Sequence, residues 1–220
     1  NKIIGWQQFY GLNFAFWSRL FKLKKNNELI VMTFIYKKKN GFAGMLYHKY
    51  ISYIVTSKYI DKFICFAKEE CDYYSKLFSM NKNKFIFVPL GESKVTDVPL
   101  SDEGYIFATG RSNRDYHFLI DVLEGTDYKL TIACDTFHYN NNGNIVVQNN
   151  CYGKHMLKLM ARCHCVVIPL KDLTMSSGQL VVLQAMSLGK PVICTKSDGI
   201  KDYIEDNVTG LLIENKKELL

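Results

Sequence analysis

The chain has 220 residues, enough for one large domain or two small ones with a sizeable core. Hydrophobic residues at 48% and charged residues at 22% are an ordinary globular balance and exclude a disordered or fibrous chain. The net charge of +7 gathers partly in Lys-rich clusters at 22–25 and 37–39, read either as solvated surface or as attraction to anionic lipid or phosphorylated substrates. No nucleic-acid recognition motif accompanies that charge, so nucleic acid is not an expected partner.

No run of eighteen apolar residues occurs and no signal-peptide pattern is visible. The cysteines at 65, 71, 134, 151, 163, 165 and 194 are odd in number and lack paired spacing. They read as buried thiols in a reducing, cytoplasmic compartment. Cys163-His164-Cys165 could suggest a metal, but it opens an apolar strand whose side chains alternate between faces, and structural thiols are the better reading. The sequence starts at Asn1 without Met and stops at Leu220 inside a Lys-rich helix start, so it is expected to be a fragment.

Residues 9–25 carry Phe9, Leu12, Phe16, Leu20 and Leu23 at helical spacing, with Phe14, Trp17 and Phe21 broadening the stripe. The segment is either a core-packing helix or a helix lying on a membrane surface. Residues 28–36 read as a buried strand, 37–41 as a loop and 42–56 as an aromatic helix. A strand at 61–66, an amphipathic helix at 67–80 and a strand at 84–89 follow. This alternation predicts a parallel α/β sheet.

Residues 92–104 are polar and contain Pro99, which predicts a linker at 96–102 between domains at 1–95 and 103–220. Beyond it come a strand at 105–109, a helix at 116–123, a strand at 128–134, a polar turn at 140–144, a strand at 145–148 and a helix at 154–163. The stretch 163–213 reads as strand, loop, helix, strand, helix, strand. Val166-Val167-Ile168 is a buried parallel strand stopping at Pro169, and the first helix runs to the C-cap residue Gly189. Ser176-Ser177-Gly178-Gln179 opens that helix. Serines can cap it, Gly178 presents no side chain, and the free amides suit an anion. The helix dipole adds about 0.3–1 kcal/mol, so an anion there needs further partners. Arg111 and Arg114, just past a strand end, can supply them.

Three stretches in order carry a family likeness: 60–65 through Phe87-Val88-Pro89-Leu90-Gly91, then 107–115 with Gly110-Arg111-Ser112-Asn113-Arg114, then 176–213. Together they resemble the retaining glycosyltransferases of family 4, which have the GT-B fold. The resemblance implies an α/β protein with two Rossmann-like parallel-sheet domains, the N-terminal, acceptor-side one truncated, and the C-terminal, donor-binding one lacking its last helices.

It further implies sugar transfer, hexosyl in type, from a nucleotide-sugar to a glycan or lipid-linked acceptor with retention, in polysaccharide biosynthesis. Arg111 and Arg114 take the places of the basic residues that neutralise the leaving diphosphate. Gly110, Ser177, Gly178 and Gln179 fall on the donor cradle, and Tyr152 next to Gly153 falls where a loop meets the base. Two Glu typical of the family are replaced here by Ser176 and Gln184. The Gln184 amide can still bond a ribose hydroxyl, whereas Ser176 is short and neutral where the donor sugar is contacted.

Front-face displacement in such enzymes needs no protein nucleophile, and no metal cofactor is expected. No Asp-x-Asp is present to hold a metal, and the absence of a Gly-x-Gly-x-x-Gly disfavours a dehydrogenase. No pair of carboxylates supports a glycoside hydrolase. His117 reads as helix surface. The chain is expected in the cytoplasm or at the cytoplasmic face of the membrane, with 9–25 as a peripheral contact. A non-catalytic nucleotide-sugar-binding module and a nucleotide-sugar epimerase are the alternatives.

Overall fold

The computed structural model describes residues 1–140, 142–215 and 218–219. The chain divides into two compact units, Asn1–Pro89 and Leu90–Leu220.

The first unit alternates β1 (Lys2–Gly5), α1 (Gln8–Leu20), β2 (Glu28–Val31), α2 (Gly41–Val55), β3 (Lys62–Cys65), α3 (Lys68–Leu77) and β4 (Phe85–Phe87). The strands are all parallel, in the order β1-β2-β3-β4. The sequence pattern did not reveal β1, which is short and only partly buried. The strand expected over 28–36 stops at Val31, because Thr33 takes a positive φ of 54° and turns the chain. Phe34 is nonetheless fully buried, its ring 4.8 Å from Phe63 and 4.9 Å from Tyr74.

The core side of α1 is a surprise. Gly11, Ala15 and Ser18 face the sheet, while Phe9, Phe14, Trp17 and Leu20 are exposed. Close approach requires the small residues: a Cβ on Gly11 would sit 2.9 Å from Val31 Cγ2. The core-packing reading of the aromatic stripe is therefore corrected: small residues bury and large ones face outward, with Leu12 and Phe16 at the boundary.

The second unit holds β5 (Tyr105–Thr109), α4 (Tyr116–Leu123), β6 (Lys129–Ala133), β7 (Ile145–Gln148), α5 (Lys154–Arg162), β8 (Cys165–Ile168), α6 (Gln179–Ser187), β9 (Val192–Thr195) and β10 (Leu211–Ile213). Its strands are again parallel, in the order β10-β9-β8-β5-β6-β7. Both faces are covered. Val166, Ile168, Val182 and Met160 fill one core; Ile132, Leu119, Val167 and Leu130 fill the other.

The helix expected between β9 and β10 is only a run of turns. Ile200 and Lys201 amides bond back to Ser197 O, Ile204 to Ile200 O, and the chain leaves the helical path there. Residues 96–102, expected as linker, lie in the second unit. Val95 N donates to Ser187 Oγ at 2.7 Å, Ser101 N to Ala161 O at 3.2 Å, and Val98 packs on the core.

All seven cysteines are buried as free thiols. Burial pushes the Cys163 and Cys194 thiols up to about 12 and Cys165 to about 11. Cys163 and Cys165 enter different cores, because Cys163 is the C-cap of α5 and lies outside β8, whose alternation begins at Cys165. Among the described residues no group of three His, Cys, Asp or Glu is placed to hold a metal ion.

Candidate donor-binding site

The strand order reverses between β5 and β8: β5 continues to β6 on one side and receives β8 on the other. In open parallel sheets, ligands bind beyond the carboxyl ends of the strands at this point. The loops leaving these two strands are stitched together. Asp115 N donates to Pro169 O at 3.0 Å, Arg114 forms an antiparallel bridge with Leu170, and Asn113 clasps Asp172 in both directions. Its Nδ2 donates to Asp172 O at 2.8 Å, and its Oδ1 accepts from Asp172 N at 2.7 Å. Asn113 holds a φ of 57°, a conformation Asn tolerates better than most residues.

Arg114 folds back beneath this clasp. Its Nε donates to Thr109 O at 3.0 Å, and its Nη1 donates to Ser112 O at 2.8 Å and to Ser177 Oγ at 3.1 Å. Ser177 Oγ donates onward to Ser112 O at 3.1 Å. Gly110 makes the fold-back possible: its φ is 120°, and a Cβ there would lie 2.5 Å from Arg114 Nη2. Tyr116 Oη, donating to Gly110 O at 2.6 Å, pins the same turn.

Every partner of Arg114 in this network is a neutral oxygen, and no carboxylate pairs with it among the described residues. Burial pushes its guanidinium below the usual arginine range. A desolvated cation without a counter-charge is costly, and an anion at this point would offset that cost.

The tip of α6 stands beside Ser177. Gly178, at its N-cap, has a φ of 96°, and a Cβ would touch Ile168 Cγ2 at 3.2 Å and Ile200 Cδ1 at 3.4 Å. No side chain caps this end among the described residues, so its first amides lack intrahelical partners. Guanidinium, serine hydroxyl and helix end thus converge.

The other expected residues sit differently. Arg111 is exposed and turned toward the exit of β6, its Nε 2.7 Å from Asp135 Oδ1 and its Nη2 2.5 Å from Asp135 Oδ2. Gln179 is buried, and its Nε2 donates to Gly199 O at 3.1 Å, so its side chain ties α6 to the β9–β10 connection. Ser176 is buried against Gly199, where an added Cβ would be 2.7 Å from Ser176 Cα, and its hydroxyl finds no partner among the described residues. Gln184 lies half-buried within α6. Tyr152 is exposed beyond β7, two strand spacings, roughly 10 Å, from β5. His117 stands on the α4 surface with its ring 5.2 Å from Phe137.

Sequence reasoning missed Asp135 and the Asn113 clasp. An Asp two residues past the end of β6, and an Asn in a Gly-Arg-Ser-Asn turn, were the signals available.

A parallel α/β unit with its anion-ready crevice at the strand reversal, preceded by a second parallel α/β unit, is the composition of the GT-B class. Solved structures bear this out at the level of fold. HepE of Anabaena, in complex with UDP-glucose, aligns with a TM-score of 0.74 and 14% identity over 99% of this chain and 66% of that one. Sucrose-phosphate synthase from Thermosynechococcus elongatus aligns with a TM-score of 0.70 and 14% identity over 99% of this chain and 61% of that one.

Residues 114–220 match the family model described as Glycosyl transferases group 1. An uncharacterized glycosyltransferase of Methanocaldococcus jannaschii is 26% identical over 188 residues. The match takes in 80% of this chain, which spans about half, 50%, of that relative's length.

Proposed function

We propose that this chain carries the donor site of a glycosyltransferase that takes a sugar from a nucleotide-sugar. A uridine diphosphate sugar is the first candidate, because the HepE structure is of a complex with UDP-glucose. The observation that carries the reading is Arg114, half-buried, without a carboxylate partner among the described residues, and beside the end of α6, which no described side chain caps. A diphosphate supplies the missing anion, and a guanidinium fork with helix amides is a matched receptor for it.

In the proposed reaction the bond between the sugar's anomeric carbon and the β-phosphate oxygen breaks, and the acceptor oxygen bonds to that carbon on the same face. The acceptor proton passes to the leaving phosphate. Arg114 and the α6 amides stabilise the charge that develops on the diphosphate, which is electrostatic catalysis with no covalent enzyme intermediate. Arg111 completes the charge by leaving Asp135 for the diphosphate, at modest cost because the arginine is exposed and the carboxylate only partly buried. Gln184 bonds the ribose, and Tyr152 approaches the base. This charge assignment calls for no metal ion.

The acceptor is a glycan or a lipid-linked glycan in polysaccharide assembly, reached at the cytoplasmic face of a membrane through the segment 9–25. Binding of UDP-glucose to the wild-type chain, and its loss in Arg114→Met, tests the donor site; a wild type that binds no nucleotide-sugar refutes it.

One observation favours a second reading. Ser176 is neutral and buried, so the site offers no carboxylate at that place to the sugar. A module that binds the nucleotide-sugar without transferring it would bind donor with no turnover, retaining or otherwise, in any acceptor extract.

A further inference from the structure

Charge is divided unevenly between the units. Residues 1–89 carry fifteen Lys and Arg against five Asp and Glu, a surplus of ten positive charges. Residues 90–220 carry thirteen against sixteen, three negative, which together give the net +7. Within the first sixty residues Glu28 is the single acidic side chain.

That basic region also exposes its largest apolar residues. On α1, Phe9 is 65% exposed and Trp17 49%; on α2, Phe42 is 73% and Leu46 50%. The two helices form one face. Phe16 bridges them, its ring 5.6 Å from Tyr50 and 6.5 Å from Tyr53, and 5.1 Å from Trp17, which stacks on Phe21. A cavity of about 240 Å³ opens between them, lined by Phe9, Leu12 and Asn13 from one side and Tyr47, Tyr50 and Ile54 from the other. Cations fringe the aromatics: Arg19 lies over the Tyr53 ring at 3.9 Å and Lys39 over Tyr47 at 4.7 Å, with Lys22, Lys24, Lys38 and Lys49 exposed nearby in sequence.

A contiguous exposed aromatic patch of this kind marks an interaction surface. Among the described residues no helix is long and apolar enough to cross a membrane. Aromatic rings with a lysine fringe and almost no acid match the water–lipid boundary of an anionic bilayer, where rings enter the head-group layer and ammonium groups meet phosphates.

We infer that α1 and α2 together form a docking face for an anionic lipid surface. This deepens the membrane contact named above, extending it from one helix to two, and does not depend on the transfer chemistry.

Co-sedimentation of the 220-residue chain with phosphatidylcholine vesicles, with and without phosphatidylglycerol, tests it. The chain partitions onto the anionic vesicles and stays free of the neutral ones. Phe14→Glu with Trp17→Glu, and separately Phe42→Glu with Leu46→Glu, each lower partition by about tenfold or more. Lys38→Ala with Lys39→Ala lowers it on the order of tenfold to thirtyfold. The circular dichroism and thermal midpoint of each variant, together with UDP-glucose binding, report whether the fold and the donor site persist.

Equal partition of wild type and variants overturns the proposal, as does equal binding to neutral vesicles. Loss confined to the α1 pair overturns the two-helix face. A concentration-dependent dimer that the same glutamates dissociate, with no lipid binding, makes the face a protein interface instead.

Discussion

The two units use one architectural scheme to opposite ends. In the second unit the large apolar residues fill the two cores and an arginine is drawn inward without a counter-charge among the described residues. In the first, helix α1 buries Gly11, Ala15 and Ser18 and turns its aromatic side chains outward. A parallel sheet with covering helices therefore does not dictate which face of a helix is apolar. One unit carries a polar demand inside, the other an apolar demand outside, and each demand points to a ligand of complementary character.

The sharpest way to break this contrast is at Gly110. Gly110→Val places a Cβ at a φ of 120° and 2.5 Å from the Arg114 guanidinium. We expect a stability loss of about 2–4 kcal/mol and loss of donor binding, read by chemical denaturation and titration. Unchanged stability would show that the fold-back is not required.

Next in size, Gly11→Val sets a side chain against Val31 Cγ2 and should cost roughly 1–3 kcal/mol by overpacking. Its neighbour Trp17→Ala, already exposed, should change stability by only about 0.5 kcal/mol. A large Trp17 effect with a small Gly11 effect would mean that the aromatic face is buried after all.

Arg111→Ala removes an exposed pair with Asp135 and should cost about 0–1 kcal/mol of stability. Its larger effect should appear in the transfer rate, where roughly 1.5–3 kcal/mol of leaving-group stabilisation is at stake. A rate equal to wild type would restrict charge neutralisation to Arg114 and the helix end. Transfer insensitive to a chelator of divalent cations is expected from the same charge assignment, and activity restored only by added metal would contradict it.

Much of this was readable in the residues, for identifiable reasons. The β5, β8 and β9 strands are short apolar runs closed by Gly110, Pro169 and the polar stretch after Thr195, so their positions follow from local chemistry. Arg114, Ser177 and Gly178 belong to loops whose glycines and serines led us to expect an anion site.

What stayed hidden depends on contacts across the sheet. Arg111 and Arg114 look equivalent in sequence, yet Asp135 draws one outward while Thr109 O and Ser177 Oγ hold the other in. Gln179 looked available to a ligand until the Gly199 carbonyl took its amide. The aromatic stripe of α1 has helical spacing on either side of the helix. Only the tight Gly11–Val31 contact decides which side is inside.

The most direct measurement is calorimetric titration of UDP-glucose into the wild-type chain and into Arg114→Met. In the unliganded protein, loss of the Arg114 hydrogen bonds to Thr109 O, Ser112 O and Ser177 Oγ opposes the relief of its desolvated charge, so stability should change by no more than about 1–2 kcal/mol. The donor affinity should nevertheless fall by roughly 1.5–3 kcal/mol, on the order of ten- to a hundredfold. Equal affinity in the two proteins would contradict the assignment of Arg114 as the diphosphate's counter-charge.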